Sequence, residues 1–173
     1  MRITGLVAQA RFDSPLGPLT AAATDKGLAG LWFDGQAHHP GPLAAPDNPR
    51  HPLLSRARRE LDAYWKHAHM KFAVPLDLQG TDFQRKVWQA LRRIGSGHTS
   101  TYAAIAARAG SAAAVRAAGA AIGRNPVSII VPCHRVLGRG GSLTGYAGGL
   151  ERKQSLLERE GALPVRTDSD RIA

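Results

Sequence analysis

The chain has 173 residues, of which 43% are hydrophobic and 21% charged, enough for one fair-sized core or two small ones and too apolar for a disordered chain. Twenty-three Lys and Arg against 13 Asp and Glu give a formal charge of +10, a field that attracts polyanions such as nucleic acid or anionic lipid. One cysteine, Cys133, excludes an internal disulfide and a multi-thiolate zinc site, and fits a reducing compartment. No apolar run approaches the roughly 20 residues needed to span a bilayer, and residues 1–10 lack a secretory pattern, so a cytoplasmic protein away from membranes is expected.

Short apolar runs separated by turn formers predict a small antiparallel sheet from Ile3 to Phe12, Leu19 to Ala23 and Leu28 to Phe33, with Asp13-Ser14-Pro15-Leu16-Gly17-Pro18 as the first turn. Residues 35–52 carry five prolines, at 40, 42, 46, 49 and 52, and read as a loop; His38 and His39 within it read as solvated side chains rather than metal ligands. From Leu53 to His69, Leu54, Ala57, Leu61, Tyr64, Trp65 and Ala68 recur at three- and four-residue spacing, the mark of an amphipathic helix. Phe72 to Leu78 alternates around Pro75 as an edge strand does, and Gly80 marks a boundary between domains 1–80 and 81–163.

Beyond Gly80 the pattern is helical. Thr81 to Ile94 presents Phe83, Val87, Leu91 and Ile94; Ser100 or Thr101 caps Tyr102 to Arg108; Gly110 turns the chain, and Ser111 caps Ala112 to Gly123. That spacing is a helix-turn-helix. Its second helix is Ala- and Gly-rich with one long side chain, Arg116, and two readings stand open: a surface low enough to enter a nucleic-acid groove, or a small-residue helix packed in the core. Leu150 to Glu160 predicts a last helix with Leu150, Leu156 and Leu157 inward and Arg152, Lys153 and Arg159 outward; residues 164–173 read as a flexible tail.

Cys133 lies in Ile129-Ile130-Val131-Pro132-Cys133-His134-Arg135-Val136, so a base and a cation adjoin the sulfur. A free thiol is only a few per cent ionised near neutral pH, and His134 is the kind of neighbour that a nucleophilic cysteine requires; a small apolar core residue is the alternative.

The ordered series Thr81-Asp82-Phe83-Gln84, Val87-Trp88, Tyr102, Arg116, Asn125-Pro126-Val127, Val131-Pro132-Cys133-His134-Arg135-Val136, Gly145-Tyr146-Ala147-Gly148-Gly149-Leu150 and Lys153…Leu156-Leu157…Glu160 resembles the O6-alkylguanine-DNA alkyltransferases, and covers nearly all of residues 81–161. Residues 1–80 resemble that family more loosely, through Ser14-Pro15-Leu16-Gly17 and the helix ending near Trp65. The resemblance implies an α+β chain: an N-terminal ribonuclease-H-like α/β domain, and a helical C-terminal domain with a winged-helix-like helix-turn-helix. It implies that Cys133 accepts an alkyl group from O6 of guanine, and possibly from O4 of thymine, irreversibly and without a cofactor. His134 would take the thiol proton through a water, Glu160 would orient the imidazole, Asn125 would brace the turn, and Tyr102 would protonate the leaving guanine. Arg116 would replace a base flipped from the minor-groove side. Ser111, Gly123, Arg124 and Arg139 would neighbour the DNA backbone, and Val136, Tyr146, Ala147 and Gly148 would line the base pocket. The implied partner is double-stranded DNA carrying O6-alkylguanine, met by a monomer. Ala147 stands where many relatives carry Ser, and the cysteine-rich module that precedes this unit in some relatives is expected to be absent. A non-catalytic helix-turn-helix sensor of alkylated bases and a cysteine hydrolase are the rival classes; the Cys133-His134 pair with Glu160 argues against the first, and a base adjacent in sequence against the second.

Overall fold

A computed structural model of the chain describes residues 2–166. It is α+β, as expected. Strands β1 (Leu6–Phe12), β2 (Leu19–Thr24) and β3 (Leu28–Phe33) form an antiparallel sheet in that order, with Phe12 opposite Leu19 and Leu19 opposite Phe33. All six residues of β3 are buried, because the sheet is covered on one side by helix α1 (Pro52–Lys66) and its edge meets the C-terminal half of the chain. Pro52 sits at the start of α1, where a missing N–H leaves no bond unmade, and Leu54, Ala57, Leu61 and Tyr64 form the buried face.

The C-terminal half contains α2 (Asp82–Leu91), α3 (Tyr102–Arg108), α4 (Val115–Gly123) and α5 (Leu150–Arg159), with a two-stranded parallel pairing of β4 (Ser100–Thr101) and β5 (Val136–Leu137). Thr81 and Gln84 make a reciprocal capping box at α2, and the Thr101 hydroxyl accepts from Ala104 N at α3, both worth about 1 kcal/mol to the helix start. Trp88 on α2 is fully buried and donates its indole N–H to the Ala121 carbonyl of α4 at 2.8 Å, locking the first helix against the third.

Three expectations are corrected. Residues 72–78 form no strand: Leu76 makes one isolated bridge with Leu28, and Pro75 lacks the N–H that a ladder needs. Ser111 does not cap a helix; its carbonyl accepts from Ala114 N in a turn, and α4 begins three residues later than expected, at Val115. In α5, Leu150 is 47% exposed, whereas Lys153 is completely buried. Of the expected tail, 167–173 lie outside the described residues, while Arg166 is tied back to α5 by an ion pair with Glu158 at 2.9 Å.

One hydrophobic core runs through both halves, from Ala8 and Phe33 through Tyr64 and Trp88 to Ile129, Cys133 and Leu156. The junction is also made by backbone. Leu31 N donates to Pro126 O and Ser128 N to Leu31 O, both at 2.8 Å, so the segment leading to Cys133 is attached to the edge of β3.

Candidate active site

The chain reaches Cys133 through a tight series of turns. Ile130 N donates to Ser128 O, Val131 N to Val127 O, and Cys133 N to Val131 O, after which Cys133–Arg135 close one 3-10 turn. Ile129 has φ 72°, a left-handed conformation that a β-branched residue takes only when its surroundings compel it. The compelling contacts are visible. Asn125, itself buried, donates through Nδ2 to the Val131 carbonyl at 2.7 Å and to Cys133 Sγ at 3.1 Å, while its Oδ1 accepts from Val127 N at 3.0 Å. One amide therefore braces the turn and touches the sulfur.

Cys133 is 4% exposed, and burial pushes its thiol up from the ordinary value, opposed by the Asn125 hydrogen bond and the Lys153 charge. The resting sulfur is a thiol that needs a base. His134, wholly buried, bonds Glu160 Oε1 through Nε2 at 2.8 Å. Burial acts to raise the Glu160 carboxyl, but hydrogen bonds and charge from His134 and Arg135 outweigh it and hold it down to about 2. An ionised carboxylate only accepts, so Nε2 carries the imidazole proton and Nδ1 keeps its lone pair. That Nδ1 is buried and has no hydrogen-bond partner among the described residues. Burial also lowers the His134 pKa, against the pull of Glu160, so the resting imidazole is neutral.

Arg135 does not serve the sulfur, contrary to its place in the sequence. Its guanidinium turns the other way, donating from Nε and Nη2 to the two Glu160 oxygens at 2.8 Å each and from Nη1 to the Ile94 carbonyl. The cation that acts on Cys133 is Lys153. Its Nζ donates to Val136 O at 2.5 Å, Thr144 O at 2.8 Å and Gly145 O at 3.3 Å, tying β5 to the 144–145 loop, and burial brings its pKa down to about 8 against the opposing pull of Cys133. Reading Lys153 as solvent-facing overlooked its spacing: 153, 156, 157 and 160 occupy one helical face.

Of the residues expected to line a base pocket, Tyr146, whose pKa burial raises, is close enough to Cys133 for that residue's charge to add to the rise. Val136 is fully buried, and Tyr146 lies edge-on to the His134 ring, its hydroxyl buried without a partner among the described residues. A Cβ on Gly148 would come within 2.6 Å of the Tyr146 ring and 3.2 Å of Phe33, so only glycine fits between them. Ala147 O accepts from Ala37 N at 2.9 Å, which attaches the proline-rich loop to this wall. Tyr102 is half-buried and donates its hydroxyl to Thr144 O at 3.0 Å; burial raises its pKa, and Cys133 adds to the rise.

The residues expected to meet a polyanion make none of the side-chain hydrogen bonds of this cluster. Arg116 is exposed on α4 and makes no side-chain hydrogen bond or ion pair among the described residues, as for Arg124 at the end of α4 and Arg139 in the turn after β5. Gly123 closes α4 and Ser111 is half-buried before it. Sequence reasoning missed Tyr64, whose hydroxyl also reaches Glu160 Oε1, at 2.8 Å; its helical spacing on α1 marked it only as core.

A buried cysteine followed by a histidine whose ring is bonded to a carboxylate, itself gripped from both halves of the chain, fits a cysteine-centred group-transfer enzyme. Comparison with known proteins makes the class specific. Residues 82–162 match the DNA binding domain and residues 7–78 the ribonuclease-like domain of 6-O-methylguanine DNA methyltransferase. A methylated-DNA–protein-cysteine methyltransferase of Mycolicibacterium paratuberculosis is 46% identical over 148 residues, 86% of this chain and 88% of that one. One of the same name from Methanosarcina acetivorans is 44% identical over 152 residues, 87% and 96% of the two chains. A crystal structure of Mycobacterium tuberculosis OGT in complex with DNA superposes with TM-score 0.82 at 44% identity, covering 90% of this chain and 94% of that one. The chain belongs to the 6-O-methylguanine DNA methyltransferase family, and is a methyltransferase.

Proposed function

We propose that the protein repairs alkylated DNA by moving the alkyl group from O6 of guanine onto Cys133, once per molecule. The observation that carries this reading is the buried Nδ1 of His134, an unpartnered base beside the chain's single thiol, fixed in that tautomer by Glu160. A water between Nδ1 and Sγ passes the thiol proton to the imidazole, and Glu160 stabilises the imidazolium, the base-and-orienter logic of a triad. Asn125 and Lys153 stabilise the thiolate as it forms. The thiolate attacks the alkyl carbon, the carbon–O6 bond breaks, and its electron pair leaves with guanine. Tyr102 gives guanine a proton, so the leaving group is neutral; the Tyr102 phenolate then takes a proton from water and the His134 imidazolium releases one to water, so the net change is alkyl transfer with one proton passed from thiol to guanine. The thioether has no route back.

The target atom lies inside a duplex, so the base must be flipped out at a cost of a few kcal/mol. The exposed, low surface of α4 enters the minor groove and Arg116 fills the vacated place in the stack. Ser111, Gly123, Arg124 and Arg139 follow the backbone, while Val136, Tyr146, Ala147 and Gly148 receive the flipped base, a pocket that also suits O4-alkylthymine. On this reading residues 1–80 form the scaffold unit and 81–163 the DNA-binding and acceptor unit, and the protein works as a monomer in the cytoplasm.

The test is stoichiometry. Excess methylated duplex should give a burst equal to the moles of protein and then nothing, with one methyl group mapped to Cys133 and no burst from Cys133→Ser. Turnover past one equivalent, or the methyl recovered as methanol, refutes the proposal.

A further inference from the structure

Glu160 is the most heavily used acceptor in the site, and its donors come from different parts of the chain. Oε1 accepts from His134 Nε2, Arg135 Nη2 and Tyr64 Oη, while Oε2 accepts from Arg135 Nε, each at 2.8 Å. Tyr64 lies on α1, 96 residues away in sequence and in the half of the chain that holds no other group of this cluster. Its side chain is fully buried, and its ring is clasped by Trp65 edge-on at 5.1 Å and by Phe72 at 5.5 Å, so the hydroxyl has one fixed direction. An apolar helix face needs no hydroxyl at that place; a phenylalanine would fill the same volume. The phenol proton is there to be donated.

The geometry points to Tyr64 as a positioning residue for the proton relay: its hydroxyl shares Glu160 Oε1 with the His134 imidazole and sets how strongly that oxygen draws the imidazole proton. The inference rests on the relay proposed above and assigns part of it to the N-terminal half. A carboxylate oxygen that already accepts a phenol proton carries less charge toward a second donor. Tyr64 thus keeps His134 from becoming too firmly protonated, while its fixed direction holds Oε1 in line with Nε2. The charged and titratable groups around His134 are Glu160, Arg135 and Lys153, with Cys133 on the same turn and Tyr146 against the ring. Of these only Glu160 bonds the imidazole, so a change at Tyr64 reaches His134 through that carboxylate.

The experiment follows the His134 ring by NMR titration in the full-length protein, its signal identified by its loss in His134→Gln, and the rate of methyl transfer against pH. In Tyr64→Phe both the His134 titration and the acid limb of the rate should move up by about half a pH unit, a loss of about threefold in rate on that limb, with the burst amplitude unchanged. The loss should be the same for methylated duplex and for a free O6-alkylguanine base, because it acts on the relay and not on DNA. An unmoved His134 titration, with only a lower melting temperature, overturns the inference and leaves Tyr64 a packing residue. The titration reads Tyr64 whether or not Cys133 accepts a methyl group, and the wild-type burst reads the acceptor, so the two failures are separate. Should Tyr64→Phe not fold, the Tyr64 hydroxyl proton of the wild type decides: a downfield, slowly exchanging signal lost in Glu160→Gln upholds the link, and its absence from the wild type overturns it.

Discussion

Replacing Glu160 with Gln keeps the shape of the side chain and removes its charge, which makes the worth of the buried carboxylate measurable. In the native chain the carboxylate meets four donors at 2.8 Å and is fully buried, as is His134. The Gln amide group would set N–H against the Arg135 guanidinium, leaving a buried cation without its partner, a change that typically costs about 3 to 5 kcal/mol. The titration of Glu160 gives an independent magnitude. Its pKa is held at about 2 against an ordinary 4.5, so the folded state binds this proton less tightly than the unfolded chain. The resulting stabilisation is fully present above pH 4.5 and is lost as pH falls through 2; it amounts to about 3 kcal/mol at neutral pH. The two figures agree. Urea unfolding at pH 7 should therefore place Glu160→Gln about 3 kcal/mol below wild type, with a melting temperature lower by roughly 6–12 °C. At pH 3 the gap should shrink to roughly half or less, because the wild type has by then lost most of the same advantage. A gap that stays constant between pH 7 and pH 3 would refute the assignment of the low pKa to this carboxylate.

Arg116→Ala should slow repair of methylated duplex by at least tenfold yet leave attack on a free O6-alkylguanine base nearly unchanged, since a free base has no stack to hold open; comparing the two rates checks it. Lys153→Met should destabilise the fold by about 2 to 4 kcal/mol in urea titrations, because Val136 O loses its buried donor and the 144–145 loop loses its tie to β5. The same variant should raise the Cys133 pKa, seen as slower thiol alkylation at pH 7, because Lys153 is the cation that opposes burial at that sulfur.

How much of this was legible in the sequence depends on whether a residue's role is local. Thr101 as a cap and the apolar face of α2 follow from spacing within one segment, and both hold. The 129–136 run placed His134 beside the single thiol for the same reason. What escaped was decided at a distance. Lys153 and Glu160 share the inward face of α5 with Leu156 and Leu157, but charge argues for solvent until the carbonyls of Val136, Thr144 and Gly145, the Arg135 guanidinium and the Tyr64 hydroxyl are in place. Arg135 adjoins Cys133 in sequence, yet one 3-10 turn aims it at Glu160. Ser111 carries the chemistry of a cap, but the turn ending at Ala114 delays α4 past its reach. Residues 72–78 alternate like a strand, and only the paired edge of β3 reveals that they contribute one bridge.

The backbone join between Leu31 and the 126–128 segment bears on how this protein can be divided. Cutting the chain near Gly80 would leave β3 with bare N–H and C=O groups where Pro126 and Ser128 were bonded, and would strip the acceptor turn of the edge to which those residues anchor it. Neither piece would be a self-sufficient module: the first would offer a sticky strand to any passing copy, and the second would hold its cysteine in a relaxed, misaimed loop. An insertion between its halves would be felt at the sulfur.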